Sequence, residues 1–158
     1  MLEKNMQNRI NFKFKSPEES PGYLLGQLNL IWQRNQKKVL DPLDLTQTQF
    51  VLLAALAWLS KTKSDVTQVD IANQGNADRM MVSKVLRTLE VKKFISRHAH
   101  TTDTRAKSVR LTPKGEKVLQ IALAKIENAD IEFFSVLGKS LPSFNKNMFK
   151  LINENKDR

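Results

Sequence analysis

The sequence predicts a mainly α-helical fold of six helices, with one short β-hairpin between the fourth and fifth helices. Three observations predict this fold. Apolar residues recur at helical spacing in six stretches, Ser, Thr or Asp stands where most of these stretches begin, and residues 95–99 and 108–111 form two short runs that alternate between apolar and polar. With 158 residues, 41% of them hydrophobic, the chain is long enough to bury the core of one domain.

Each helix is predicted from its first turn as well as from its apolar stripe. The helices are expected over about residues 21–38, 46–59, 67–74, 78–91, 113–138 and 143–153. Ser20-Pro21 and Thr112-Pro113 put a capping residue before a proline at the first helical position. Thr46 and Gln49 have the spacing of a capping box, and Thr67 opens the third helix in a similar way.

The segments between these elements favour turns. Gly75-Asn76 separates the third and fourth helices, and both residues tolerate a positive φ. A polar, charged connection over residues 101–107 joins the two strands of the hairpin. Because side chains alternate between the faces of a strand, Val109 and Leu111 are expected to point inward together.

The net charge of +10 is concentrated in the middle of the chain. Residues 61–115 hold twelve Lys/Arg against five Asp/Glu, whereas the segments on either side are nearly balanced. A basic segment of this kind is typical of a module that binds a polyanion, nucleic acid above all. On composition alone, lysine that only serves solubility is an alternative explanation.

Composition also excludes several classes of protein. Without cysteine there is no disulfide framework, thiolate zinc site, thiol redox sensor or cysteine nucleophile. No run approaches the roughly 18 apolar residues of a membrane span. Residues 1–19 lack the apolar block of a secretory signal and are predicted to be a flexible N-terminal arm. A cytoplasmic protein that uses no cofactor and does not bind membranes is therefore expected.

The fourth predicted helix combines an apolar face with a polar, cationic one. Its apolar residues fall at i, i+3, i+4 and i+7, namely Val82, Val85, Leu86 and Leu89. The other side carries Arg79, Met80, Ser83, Lys84, Arg87 and Thr88. Such a helix fits the major groove of DNA, where its first turn, from Arg79 to Lys84, is expected to reach base edges and Arg87 to meet phosphate. Taken in isolation, it also fits an ordinary surface helix with a solvated basic face.

The elements around this helix favour the first interpretation. A short helix precedes it after a tight turn and a hairpin follows, which is the order of a winged helix-turn-helix. Gln68 and Thr67, at the start of the third helix, are placed for contacts with backbone phosphates. Capping the helix is an alternative role for both residues, and it is equally favoured for Thr67.

The stretch from Thr67 to Gly115 resembles the multiple-antibiotic-resistance regulator (MarR) family of bacterial repressors. The residues that carry the resemblance are Gln68, Ile71-Ala72, Val82-Ser83-Lys84, Leu89-Glu90, Asp103-Thr104-Arg105 and Val109-Arg110-Leu111-Thr112-Pro113-Lys114-Gly115. The Asp-x-Arg pair shortly before Val-x-Leu-Thr-x-x-Gly is similar to the wing signature of that family. The flanking helices match in position and length, so the likeness covers about residues 20–153.

The resemblance implies an intertwined, triangular homodimer with two winged helix-turn-helix regions. Residues 20–40 and 113–158 would supply the dimerisation helices, and residues 41–112 the DNA-binding region. Arg105 resembles the wing-tip arginine that enters the minor groove, and Asp103 resembles the acid that braces the wing by ion pairing. Lys107, at the end of the same connection, is counted among the DNA-binding residues.

Two positions depart from the pattern of the family. Gly75-Asn76 stands where an apolar residue followed by glycine is more common, so the packing of that turn is expected to differ. Residues 90–95 lack the glycine usually found between the fourth helix and the first strand. Neither departure is expected to change the fold.

Two further sets of residues suggest ligands. His98 and His100 have H-x-H spacing, but a metal site needs more ligands, so phosphate contact or solvation is favoured. The resemblance implies that a small aromatic or anionic effector binds between the dimerisation helices and the winged region. The aromatic residues that would border such a pocket are Tyr23, Trp32, Phe50 and Trp58. Phe50 suits the core better, whereas Tyr23 and Trp32 are the better ligand candidates.

The favoured function is a MarR-type transcriptional regulator, more specifically a repressor, that binds a pseudo-palindromic operator as a homodimer. Release by a small ligand is one alternative, and a regulator without any ligand is the other. An RNA-binding or architectural module is disfavoured because Phe94 is the only aromatic residue of the segment 61–115. An enzyme is disfavoured because no nucleophile–base pair, phosphate loop or paired carboxylates are found. A purely helical adaptor would leave the basic segment unexplained.

Overall fold

The computed structural model describes residues 10–156, and in this range it contains six α-helices and one two-stranded antiparallel sheet. The elements are α1 (Pro21–Leu40), α2 (Gln47–Leu59), α3 (Gln68–Gln74), α4 (Arg79–Val91), β1 (Ile95–Ala99), β2 (Lys107–Leu111), α5 (Pro113–Phe134) and α6 (Leu141–Asn155). The predicted mainly α fold with one hairpin is confirmed. None of the helices in the described range is long and apolar enough to cross a bilayer.

The chain forms two compact units, which divide within α1 between Arg34 and Asn35. In the first unit, residues 10–16 precede a single 3-10 turn at Pro17–Glu19, and α1 follows directly. Of the predicted flexible arm, residues 1–9 lie outside the described residues. Within this unit most large apolar side chains of α1 are exposed, so that the helix has an unpartnered apolar surface.

The second unit contains the hydrophobic core. Helices α2, α3, α4 and α5 and the sheet all contribute buried side chains to it. The apolar side chains of this core with no measurable exposure are Leu40, Leu53, Leu56, Ile71, Val82, Leu86, Leu89 and Ala122. Phe50 also belongs to this core. Gln36 is buried and donates a hydrogen bond from Nε2 to Asp130 Oδ1 over 2.8 Å, which ties the end of α1 to α5 within this unit.

The predicted helix starts are capped as their sequences indicated. Thr46 and Gln49 form the capping box of α2, with the Thr46 hydroxyl accepting from Gln49 N–H over 3.1 Å and the Gln49 amide oxygen accepting from Thr46 N–H over 3.2 Å. At α5, Thr112 accepts from Gly115 N–H over 3.0 Å and Pro113 occupies the first turn. These local bonds satisfy N–H groups that the helix itself leaves free.

The hairpin is attached to the helical core on both sides. Ile95 pairs with Leu111 and Ala99 with Lys107, and Val109 is buried as expected while Leu111 packs partly against the core. Val109 N–H donates to the carbonyl of Val66 over 2.7 Å, so the residues just before α3 pair with the edge of β2 that β1 does not occupy.

The two departures from the family pattern are absorbed by residues in the left-handed region. Asn76 has φ 47° in the turn between α3 and α4, whereas Gly75 keeps a negative φ. Lys93 has φ 60° between α4 and β1, at the place where glycine is usual. A non-glycine residue in this region costs about 1–2 kcal/mol. Lys93 N–H donating to Glu90 O and Thr112 Oγ1 donating to Lys93 O help to hold the conformation.

The expected end of the fifth helix is wrong by four residues. The α-helix ends at Phe134, and residues Ser135–Ser140 continue as 3-10 turns in which Gly138 has φ 48°. Ser135 Oγ donates to the carbonyl of Glu132 over 2.7 Å, and such a local bond competes with regular helical hydrogen bonding. Helix α6 then begins at Leu141, two residues before the predicted position.

Gly115 allows the first turn of α5 to lie directly against the chain at Phe94. A Cβ atom at position 115 would lie 1.9 Å from the Phe94 carbonyl oxygen and 2.8 Å from its carbonyl carbon. Because both atoms belong to the backbone, no side-chain rotation could relieve the overlap. The absence of a side chain is therefore a packing requirement at this position.

We expect Gly115→Ala to lower the free energy of unfolding by about 1–3 kcal/mol, the usual cost of forcing extra volume into a packed site. Urea unfolding followed by circular dichroism at a fixed protein concentration measures the change. Lys117→Ala, an exposed substitution in the same helix, is the control and is expected to stay within about 0.5 kcal/mol of the wild type. Equal midpoints for Gly115→Ala and the wild type would contradict the close approach.

Candidate nucleic-acid interface

Helix α4 has one face in the core and one in solvent. Val82, Leu86 and Leu89 are fully buried and Val85 is partly buried, which is the stripe predicted from spacing. The helix packs on α2, α3 and β1 and is capped by Asp78, whose side chain accepts from Met81 N–H over 2.9 Å. The burial of this stripe determines the rotation of α4 about its own axis.

The opposite side of α4, which we call the outer face, is available to a partner. Its members are Arg79, Met80, Ser83, Lys84 and Arg87. All are exposed except Ser83, which is half-buried. Within residues 10–156, none of its three cations forms an ion pair. The structure thus brings together the five residues of α4 that the sequence singled out for DNA contact.

Several other cations of the second unit are paired with acids and serve the fold. Arg97 Nε lies 3.3 Å from Glu90 Oε2 and links β1 to α4, and Lys92 Nζ lies 3.2 Å from Asp44 Oδ2. These ion pairs link different parts of the fold, whereas the cations of the outer face form no ion pair within the described residues. The positive charge of the outer face is therefore not neutralised by this part of the chain.

The start of α3 is capped by the side chain of Thr67. Thr67 Oγ1 donates to Asp70 Oδ2 over 2.8 Å, and Lys63 Nζ lies 2.6 Å from the same oxygen. Burial alone would raise the pKa of Asp70, but the hydrogen bonds from Lys63 and Thr67 outweigh it, so this pKa lies below its ordinary value. The Thr67 hydroxyl thus has a capping role, and the half-buried Gln68 begins the helix beside it.

The connection between β1 and β2 presents the wing-tip residues to solvent. Asp103, Arg105 and Lys107 are all exposed. The turn is held by His100, whose Nδ1 accepts from the N–H groups of Thr102 and Asp103 over 3.2 and 3.1 Å. These bonds fix the backbone from which Arg105 extends.

The expected ion pair of Asp103 is absent from the described part of the chain, and a different bond takes its place. Asp103 Oδ1 accepts from the backbone N–H of Arg105 over 2.9 Å. An aspartate side chain readily accepts a hydrogen bond from the backbone N–H two residues later, and this local arrangement is an Asx-turn. Asp103 therefore braces the wing tip through the backbone of Arg105.

Asp65 anchors the wing to the helix-turn-helix, a role that was missed from the sequence. This carboxylate, in the loop before α3, is only 5% exposed and accepts hydrogen bonds from the hydroxyl and the N–H of Thr101. Arg110 Nη2 on β2 lies 3.8 Å from its other oxygen. The Thr101 hydroxyl holds the pKa of Asp65 below its ordinary value against the opposing effect of burial. The Thr101 N–H, His100 and Arg110 act in the same direction as the hydroxyl. Its partner is 36 residues away, and no local pattern signals such a contact.

The two histidines have protein partners. His98 Nε2 lies 2.8 Å from Ser96 Oγ, and His100 serves the turn described above. No group of three or more side chains that could ligate a metal is found within residues 10–156.

The four aromatic residues predicted for a ligand have different surroundings in their own units. In the first unit, Tyr23 lines a cavity of about 500 Å³ together with Phe12 and Phe14, and Trp32 is half-buried. In the second unit, Phe50 is a core residue, whereas Trp58 is 62% exposed and has Lys61 Nζ 4.4 Å from its ring centroid.

The contacts of Asp65 make a pH-dependent prediction. Because its folded-state pKa is lowered, the ionised carboxylate stabilises the fold above its unfolded-state pKa, and this stabilisation is lost as the pH falls through the folded-state pKa. Asp65→Asn should therefore be less stable than the wild type at pH 7, and the difference should shrink below about pH 4. Urea unfolding at pH 7, 4 and 3 measures it. Glu127→Gln, an exposed change on α5, should keep the wild-type profile, and a constant gap for Asp65→Asn would contradict the assignment.

The fold and this sequence pattern recur in known proteins. The family described as "ArnR1-like, winged-helix domain" matches residues 41–130. The uncharacterized HTH-type transcriptional regulator YdcH of Bacillus subtilis (strain 168) is 40% identical over 127 residues, which cover 80% of this chain and 86% of YdcH.

Solved structures agree with this relationship. The S. aureus MepR–DNA complex superposes with a TM-score of 0.78 at 26% identity, covering 88% of this chain and 99% of MepR. The apo form of wild-type MarR from E. coli has the same fold, with a TM-score of 0.66 at 21% identity and with 84% of this chain and 96% of MarR covered. The chain belongs to the MarR family of winged helix-turn-helix, DNA-binding transcriptional regulators.

Proposed function

We propose that this regulator binds a pseudo-palindromic operator as a homodimer and represses transcription. The observation that carries the proposal is the outer face of α4, where three exposed cations have no acidic partner among the described residues, while the apolar stripe of the same helix packs in the core. A major groove admits one α-helix, and Arg and Lys are suited to donate to the acceptors of guanine. Arg79, Ser83 and Lys84 therefore contact base edges, and Arg87, further along the helix, contacts phosphate.

The wing extends the same surface. Arg105 is an exposed cation on a turn held by Asp103 and His100, and a narrow minor groove attracts an arginine presented in this way. Lys107, at the base of the turn, contacts the backbone, as does Gln68 at the start of α3. Thr67 keeps α3 capped in this arrangement.

A second copy of the chain is proposed as the partner of α6. Within Leu141–Asn155 no residue is fully buried, and Leu151 and Ile152 are 65% and 61% exposed. An exposed apolar stripe on a helix is a signature of an interface rather than of a free surface. A two-fold dimer would present two copies of α4 to successive major grooves, about one helical turn apart. A dimer bound across a promoter excludes polymerase.

The cavity of the first unit supports the prediction of a small effector. Tyr23, Phe12 and Phe14 give the cavity aromatic walls, and Lys13 and Lys15 also line it. An aromatic anion would match both properties. Phe50 is given no part in ligand binding because it belongs to the core. Such a ligand releases DNA only if it binds one arrangement of the dimer better than the other.

Substitutions on the outer face should separate base contacts from phosphate contacts. We expect Arg79→Ala to cost about 1–3 kcal/mol on the preferred duplex and much less on random DNA. Arg87→Ala should weaken both duplexes about equally and reduce the magnitude of the log–log salt slope by about 0.9 for each phosphate that is no longer neutralised. Fluorescence anisotropy at several salt concentrations, with a duplex selected from a random pool, provides both numbers.

The control is Lys125→Ala, which removes one exposed positive charge from α5. It changes the net charge by the same amount but should leave the preference for the selected duplex unchanged. If the wild-type protein bound selected and random duplexes alike, sequence recognition would be refuted.

The proposed dimer is tested on the apolar stripe of α6. Leu151→Asp combined with Ile152→Asp should convert the dimer into a monomer in analytical ultracentrifugation, since two charges would be desolvated at the interface. Binding to a palindromic duplex should weaken at the same time, while circular dichroism reports whether the helices persist.

Asn153→Asp is the matched control, because it adds a charge about 200° around α6 from Leu151. It should leave the dimer intact. A wild-type chain that sediments as a monomer at micromolar concentration would overturn the homodimer.

A further inference from the structure

Met80 is the apolar residue at the N-terminal end of a row of α4 whose next three members are hydrophilic. It lies with Ser83, Lys84 and Arg87 at i, i+3, i+4 and i+7, which places all four on one side of the helix. The Met80 side chain is 82% exposed, although methionine is usually buried.

Packing within the described part of the chain does not account for this residue. Val82, two residues later, is fully buried, and the roughly 200° between the two positions turns Met80 to the opposite side of the helix. Among the described residues, no hydrogen bond or ring contact involves its side chain. Covering an exposed apolar thioether with a partner removes it from water and lowers the free energy.

Resting on the proposed function, we propose that Met80 recognises the 5-methyl group of thymine in the major groove. That methyl group is the apolar feature that base pairs display there. Met80 is the second residue of α4, and the N-terminal residues of a recognition helix are the ones that approach base edges. The flexible thioether can adapt its shape to the methyl group. Met80 would thus favour an A·T pair beside the bases that Arg79 and Lys84 contact.

The expected effect follows from the transfer of one methyl group out of water. Removing the methyl should weaken binding about fourfold at one half-site, and about fifteenfold when both symmetry-related thymines are changed. The hydrogen-bonding groups of the base are unaffected by this change, so the effect isolates the apolar contact.

The experiment uses the full chain and a duplex selected from a random pool. Thymines are replaced by deoxyuridine one symmetric pair at a time, and affinity is measured by fluorescence anisotropy at constant salt. For the wild type, deoxyuridine at one symmetric pair of positions should weaken binding relative to the unmodified duplex. The affinity of Met80→Ala should not change when the methyl groups at that pair are removed. Met80→Leu should keep most of the loss in affinity that the wild type shows.

Val91→Ala provides a closely matched control. Val91 is also 82% exposed and lies on nearly the same side of α4, but about 16 Å further along its axis. This variant should keep the full sensitivity to deoxyuridine. The inference is overturned if no thymine methyl affects the wild type, or if Met80→Ala retains the sensitivity. Failure to select any duplex over random DNA would instead refute the proposed function, and the inference with it.

Discussion

The burial of one stripe of α4 is the constraint on which the interface depends. Val82, Leu86 and Leu89 are completely shielded from solvent by α2, α3 and β1, and each contributes about 1.5–3 kcal/mol by leaving water. Because the helix cannot rotate without exposing them, its cationic side is held outward. The same packing that stabilises the unit therefore orients the residues proposed to contact DNA.

The wing depends on the core in a different way. A two-stranded hairpin is marginal on its own in water. Here it is held by the backbone bond from Val109 to Val66, by the carboxylate of Asp65 and by the contact between Arg97 and Glu90. The cations that position the wing are paired with acids, whereas the guanidinium of Arg105 forms no ion pair within residues 10–156. This division separates charges that hold the fold from charges left for a polyanion.

Apolar surface on α6 and α1 is exposed in the single chain. It would be a liability for a monomer, and the proposed homodimer gives it a partner of matching composition. This exposure is clearest on α6, which has no buried residue and leaves Leu151 and Ile152 largely exposed to solvent.

Local patterns in the sequence determined most of the fold and the composition of the outer face of α4. The caps at Thr46, Thr67 and Thr112, and the spacing of Val82, Val85, Leu86 and Leu89, act over three to eight residues and can be recognised in one dimension. The family resemblance, carried by the Asp-x-Arg pair of the wing, added the role of Arg105, which stays a proposal.

Tertiary structure decided what depends on distant partners. Asp65 and Thr101 meet across 36 residues, and the carbonyl of Lys93 accepts a hydrogen bond from the hydroxyl of Thr112 at the start of α5. The early end of α5 at Phe134 and the backbone bond of Asp103 involve partners only two or three residues away, yet neither was predicted from the sequence. Helical periodicity is a short-range property of the chain, whereas burial and hydrogen-bond partners exist only once distant segments pack together.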